Sequence, residues 1–282
     1  MNPKPSISLE PAAGLSPQTA QAWQRLIAEL TSRGSLLVAF SGGVDSSLLL
    51  AAAKTALGGQ VKAALCLGPF TPDWEVEAAR SLAHALGVEL LEVDADELSD
   101  RNIADNGPQR CYWCKRRRMM LLVHLAQEMG LAFVAEGSQT DDDAQDRPGS
   151  KAVAELGVLS PLATVGLNKA MVRELSASLG LPTAQAPAAA CFASRVPWGV
   201  PLSRGILTRI GKAEALLRIL LPGTSLRVRD HHPLARLEIS PEFIEKAASE
   251  PMRGRIVTAV QSAGYEHVCL DLMGYRTGGA NR

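Results

Sequence analysis

The chain has no excess of charge of either sign: 29 acidic and 29 basic residues leave its 282 residues with no formal net charge. Without a basic surplus it lacks the electrostatic footprint of a nucleic-acid or anionic-membrane binder, so a small-molecule partner is expected, with no nucleic acid and no membrane. Long apolar runs are missing as well. Each stops well short of the roughly 20 residues of a membrane span, and the N-terminal MNPKPSISLEPAAG carries no apolar signal-peptide core. A cytoplasmic location is the expectation. Cysteines number five; in a reducing compartment they are expected to be reactive, metal-binding or buried, not disulfide-bonded. Internal repeats are absent too, and the length fits one large or two ordinary domains.

What is present begins with SGGVDS, Ser41 to Ser46, between the apolar run Leu36 to Phe40 and an apolar helical pattern, Leu48 to Leu57. A strand that ends in small residues and feeds a helix leaves backbone N–H groups beside the positive end of the helix dipole, which is an anion site. Gly42 and Gly43 let the backbone approach a phosphate chain, and the Ser41, Ser46 and Ser47 hydroxyls can donate to its oxygens. No lysine follows the glycines, which separates the pattern from GxxxxGK[ST]. The segment resembles the PP-loop of ATP pyrophosphatases, which cleave ATP between the α- and β-phosphates to adenylate a substrate. That resemblance gives Ser41, Gly42, Gly43, Asp45 and Ser46 to ATP and makes Asp45 a Mg2+ ligand.

Apolar β-like runs at 35–40, 61–67, 88–93 and 131–135 alternate with helical patterns at 45–57, 72–86 and 114–129, after a first helix opening at Ser16-Pro17. This alternation predicts an α/β fold, a parallel sheet covered by helices, with ligands at the strand C-terminal ends. A helix at 168–180, capped by Asn168, precedes the Pro/Ala stretch PTAQAPAAA, which reads as a linker. Beyond it, a helix at 203–221, strands at 225–230 and 234–239, a helix near 251–263 and a strand from His267 to Leu272 predict a smaller C-terminal α+β domain. The expected division is a disordered tail at 1–15, an ATP domain at 16–186 and a second domain at 187–282.

Cys111 and Cys114 form CYWC among Arg110, Lys115, Arg116, Arg117 and Arg118, a field that favours thiolates. Cys191 lies in AACFASR. A CxxC pair with a third cysteine brought in by folding supplies three ligands to a [4Fe-4S] cluster and leaves one iron open for a labile sulfide; the pair can equally be a redox couple, with Cys191 a buried small residue. Cys66 and Cys269 read as buried. Asp141 and Asp142 suit either magnesium or a turn cap. Adjacent on a strand, His231 and His232 point to opposite sides and make a poor ligand pair.

The strings SGGVDSS, RCYWCK, EGSQTDDDAQDRPG, GVLSPL, LGLPT, PAAACFASRVPWG, LRVRDHHPLARLEI and LDLMGYRTG, in this order from about Gly34 to Arg276, resemble the LarE family of ATP-dependent sulfur transferases. The resemblance implies a PP-loop/HUP-like fold of the adenine nucleotide alpha hydrolase type. It also implies adenylation of the carboxylates of pyridinium-3,5-biscarboxylate mononucleotide and their conversion to thiocarboxylates, a step toward the nickel-pincer nucleotide cofactor of lactate racemase. Some members give up the sulfur of their own cysteine, at the position of Cys191, and others resemble enzymes that carry an exchangeable sulfide on a [4Fe-4S] cluster, here held by Cys111, Cys114 and Cys191. By the same resemblance Cys191, Glu214 and Arg195 are catalytic, and Ser194, Arg227, Arg229 and Arg276 face the substrate, since arginine forks suit phosphate and carboxylate. Glu214 is equally readable as an exposed helix residue. A homo-oligomer is expected. Two alternatives remain: a PP-loop tRNA thiolase, which the neutral charge disfavours, and a protein that binds ATP without turnover.

Overall fold

A computed structural model of the chain describes residues 7–142, 148–187 and 190–276. The start of the expected tail, 143–147 of the EGSQTDDDAQDRPG string and 188–189 of the Pro/Ala stretch lie outside them. The chain divides into two compact units, Met1–Gly68 with Asp73–Asp96 and Cys111–Ala188, and Pro69–Pro72 with Glu97–Arg110 and Ala189–Arg282. The cut expected at 186/187 falls two residues before the last of these boundaries. The two short early pieces join the second unit through backbone hydrogen bonds: Phe192 N–H donates to the Phe70 carbonyl at 2.9 Å, and Leu202 N–H to that of Ala104 at 2.7 Å.

In the first unit, β1 (Leu36–Ala39), β2 (Val61–Leu67), β3 (Leu90–Asp94) and β4 (Phe133–Ala135) form one parallel sheet in the order β3-β2-β1-β4. Side chains alternate across it. Leu36 and Val38 face a core shared with α1 (Pro17–Thr31), α2 (Val44–Leu57) and α3 (Asp73–Ala85), whereas Leu37 joins a second core on the other face. Helix α4 (Arg101–Ala104) belongs to the second unit. That second core takes Met119, Leu122 and Ala126 from α5 (Arg110–Glu128) and Val153 from α6 (Pro148–Glu155); after the short α7 (Pro161–Thr164), α8 (Lys169–Ser178) returns to the first core.

The observed ends follow local chemistry. Ser16 caps α1 by accepting the Thr19 N–H, with Pro17 in the first turn, and Asn168 caps α8 through the Met171 N–H. Helix α5 starts at Arg110, not at 114, so CYWC occupies its first turn. Residues 7–15 correct the expected disorder: Ser8 N–H donates to the Leu179 carbonyl at 2.9 Å, Thr55 Oγ1 donates to the Leu9 carbonyl, and Ile7 and Leu15 pack on the first core. Two half-buried apolar side chains and paired backbone groups hold this segment despite its prolines and serines.

The second unit carries a sheet in the order β5-β6-β7, with β5 (Leu226–His231) antiparallel to β6 (Leu234–Ile239) and β7 (His267–Leu270) parallel to it. Leu226, Val228 and Leu237 enter one core with Leu217 of α9 (Arg204–Leu220) and Val260 of α11 (Met252–Ser262); Ala247 of α10 (Ile244–Ala248) joins them. Period-2 alternation puts Arg227, Arg229 and Glu238 on the opposite face.

Candidate functional site

The phosphate loop leaves β1 in the middle of the first sheet, next to β4, where the strand order reverses. Gly42 takes φ +74°, and a Cβ there would meet the Ala79 side chain at 3.0 Å, so glycine is required twice over. The Ser46 hydroxyl donates to the Gly43 carbonyl at 3.1 Å and lies 3.2 Å from Ser41 Oγ. Ser47 is fully buried in the helix and so is withdrawn from the loop hydroxyls.

Asp45 does not stand alone. The Lys169 ammonium, in the first turn of α8, lies 2.6 and 2.5 Å from its two carboxylate oxygens. The cation that sequence reasoning found missing after the glycines therefore comes from more than a hundred residues downstream, and its signal was modest: a lysine directly after the Asn168 cap. Asp141 accepts the Lys169 backbone N–H at 2.9 Å and Asp142 accepts that of Gln139 at 3.1 Å, so both act as caps.

The end of β4 completes this wall. Glu136, almost fully buried, accepts from Lys115 Nζ at 2.9 Å, Ser160 Oγ at 2.7 Å and the Ser138 N–H at 3.1 Å. Burial pushes its carboxyl up, but the Lys115 charge and these hydrogen bonds outweigh that and hold it below the ordinary carboxylate range. A Cβ on Gly137 would stand 2.9 Å from the Ser46 backbone nitrogen, so β4 can pass the phosphate loop only with glycine there. Glu136 and Gly137 follow the fourth strand, at a C-terminal end where ligands were expected, whereas Lys115 and Lys169 were missed beside this loop, because a lone Lys on a helix has no distinctive spacing.

Cys111 and Cys114, three apart on the first turn of α5, share one helix face; Cys111 is exposed and Cys114 half-buried. Two thiols so placed suit two corners of one iron–sulfur cluster. Among the described residues no group of three or more His, Cys, Asp or Glu side chains converges as a metal site.

In the second unit Cys191 precedes a short 3-10 turn, Phe192–Arg195. Its carbonyl accepts from the Ser194 N–H at 3.0 Å, Ser194 Oγ at 2.8 Å and Arg195 Nη1 at 3.1 Å. Arg195 is 2% exposed, and its other nitrogens grip Glu214, Nε at 2.9 Å and Nη2 at 3.1 Å. Glu214, 0% exposed, also accepts the Val228 N–H at 3.0 Å. The exposed-helix reading of Glu214 is overturned: the residue lies between α9 and β5, where only a paired carboxylate is tolerated.

The arginines expected to meet substrate prove to be largely engaged with protein. Buried Arg229 pairs with Glu238 through Nε at 3.0 Å and Nη2 at 2.8 Å, while Nη1 donates to the Ser194 carbonyl at 2.7 Å. Arg227 donates to its own strand at the Leu226 carbonyl and lies over the Tyr275 ring at 5.1 Å. Burial first, and the Arg195 charge second, lower its pKa. Arg276 is exposed. Thus Cys191, Ser194, Arg195, Glu214 and Arg229 form one network, with Arg227 electrostatically linked to it.

A strand–SGGVDS–helix unit on a β3-β2-β1-β4 parallel sheet defines an ATP-dependent enzyme of the PP-loop superfamily, and the NAD synthase family model matches residues 19–196. A pyridinium-3,5-bisthiocarboxylic acid mononucleotide synthase of Lactiplantibacillus plantarum is 35% identical over 91% of this chain and 92% of its own. An uncharacterized protein of Synechocystis is 37% identical over 87% of this chain and 91% of its own, and one of Methanocaldococcus jannaschii 28% over 86% and 91%. The chain belongs to the LarE family of ATP-dependent sulfur transferases. Among the described residues no helix is long and apolar enough to cross a membrane.

Proposed function

We propose that this enzyme adenylates the carboxylates of pyridinium-3,5-biscarboxylate mononucleotide and converts them to thiocarboxylates, as a step toward a nickel-pincer nucleotide. The observation that carries the reading is the pairing, in one chain, of a phosphate loop with a cysteine whose carbonyl is held by three donors. A carboxylate is a poor electrophile until its oxygen joins a good leaving group. Its oxygen attacks the α-phosphorus of ATP, pyrophosphate departs, and a sulfur nucleophile then displaces AMP from the acyl carbon.

On this reading Ser41, Gly42, Gly43 and Ser46 bind the phosphates. Asp45 is the oxygen ligand suited to Mg2+, which when bound neutralises the departing pyrophosphate. Lys169 adds a cation at the same carboxylate. Cys111, Cys114 and Cys191 are the thiolates suited to a [4Fe-4S] cluster, which when bound supplies an exchangeable sulfide. Arg195 and Glu214 act by fixing the Cys191 backbone, and Arg227 and Arg276 are the arginines for the substrate's phosphate and carboxylates, with Arg229 and Ser194 behind them.

The test is anaerobic purification, iron and sulfide analysis, and turnover with ATP and the dicarboxylate nucleotide. Pyrophosphate release with a product carrying sulfur for oxygen is expected, with iron lost when Cys111, Cys114 or Cys191 is changed to Ala and retained in Cys66→Ala and Cys269→Ala. An iron-free enzyme whose own chain loses hydrogen sulfide after one transfer would replace the cluster by a sacrificial Cys191 and leave adenylation standing. No pyrophosphate release with this nucleotide would sink the substrate assignment.

A further inference from the structure

The segment that presents Cys191 is held from a second side by Asn106 and Arg110. Asn106, in the loop before α5, is fully buried and adopts φ +55°, a left-handed conformation that asparagine tolerates better than most residues. Its amide nitrogen donates to the Pro197 carbonyl at 2.8 Å and the Val200 carbonyl at 2.9 Å, and its own carbonyl accepts the Gly199 N–H at 3.1 Å. One side chain thereby closes both ends of the turn 197–200. Its Oδ1 accepts from Arg110 Nη1, and that same nitrogen donates to the Ala193 carbonyl at 2.9 Å, two residues beyond Cys191.

We infer that Asn106 and Arg110 are positioning residues for Cys191, holding the donor segment in register for sulfur delivery. This rests on the reading that Cys191 handles sulfur. The segment they hold is not core: Cys191 is half-buried and Trp198 is 51% exposed, so packing alone does not fix the path. A buried guanidinium and amide are an unfavourable way to gain stability, since apolar residues of similar volume do as well or better. What a fully satisfied polar lattice provides instead is one fixed geometry. Arg195 clamps the Cys191 carbonyl from the Glu214 side, and Arg110 clamps the Ala193 carbonyl from the Asn106 side. Two clamps two residues apart leave the thiol little freedom beyond its own rotamer.

Asn106→Gly tests this, because glycine accepts the positive φ and removes only the amide. Pyrophosphate release with ATP and the dicarboxylate nucleotide should stay within about twofold, while thiocarboxylate formation falls about 10- to 100-fold, the scale of a misplacement near 1 Å. On the full chain after iron chelation, iodoacetamide should alkylate Cys191 at least about threefold faster relative to Cys111, since a loosened segment exposes its thiol. Arg110→Lys, keeping the charge but not the fork, should fall between wild type and Asn106→Gly. If Asn106→Gly does not fold, Arg110→Gln takes its place in both assays. Unchanged alkylation and transfer, or parallel loss of both activities with the melting temperature, would overturn the inference. If wild type forms no thiocarboxylate at all, the functional reading fails, and the alkylation ratio still decides whether the clamp exists.

Discussion

Replacing Glu214 by Gln separates a clamp from a free catalytic acid. Glu214 is fully buried and accepts three hydrogen bonds, two from the buried Arg195 and one from the Val228 backbone. A glutamine keeps one acceptor oxygen but turns an NH2 group toward Arg195, so one charge-assisted bond of about 1.5–3 kcal/mol is lost and the rest become weaker neutral-acceptor bonds. Arg195 is also left in the interior without its counter-charge. Together these match the roughly 3–5 kcal/mol for breaking one side of a buried pair. At about 2–4 °C per kcal/mol in a protein of this size class, the melting temperature should fall by about 6–20 °C. The double variant Arg195→Met/Glu214→Leu should recover much of that loss, because it removes both charges, while sulfur transfer stays defective for want of the carbonyl clamp. Calorimetry of the three proteins at neutral pH, with pyrophosphate and thiocarboxylate assays on each, is the measurement. A Glu214→Gln protein as stable as wild type, or a double variant less stable than the single, would refute the clamp.

Lys169→Ala should lower ATP-dependent pyrophosphate release about 10- to 100-fold, the value of one charge-assisted contact, with little loss of stability because the pair is part exposed; a rate near wild type would detach Lys169 from the ATP site. Gly137→Ala should displace the Asp45–Ser46 backbone and raise the ATP requirement, read as KM for ATP, whereas an unchanged KM would mean the loop yields without consequence. Asp45→Asn and Ser46→Ala should abolish adenylation with circular dichroism unchanged. Glu136, its folded pKa depressed, contributes stability that is present above its unfolded value of about 4.3 and lost as pH falls through the lower folded value. The gap in melting temperature between wild type and Glu136→Gln should therefore narrow on acidification below about pH 4; a gap that widens there would contradict the sign.

Sequence by itself determined the strands and the long helices in their order, because each rests on local physics, while the shorter helices α4, α6, α7 and α10 carry too few residues for a period to show. Leu36 to Phe40 before SGGVDS can only leave a buried strand for a helix, Ser16 and Asn168 announce caps, and LRVRD alternates so that Arg227 and Arg229 share a face. The phosphate loop was legible for the same reason: its glycines and hydroxyls are contiguous. Tertiary structure decided which charges meet. Lys169 reaches Asp45 and Lys115 reaches Glu136 only because parallel strands bring distant loops to one sheet edge, and Asn106 meets the 197–200 turn across ninety-odd residues of chain. It also decided that Arg195, Arg229 and Glu214 are interior pairs. A sequence records that an arginine is present, but whether its fork points at a ligand or at a neighbouring carboxylate depends on burial, and burial is set by the packing of elements far apart in the chain.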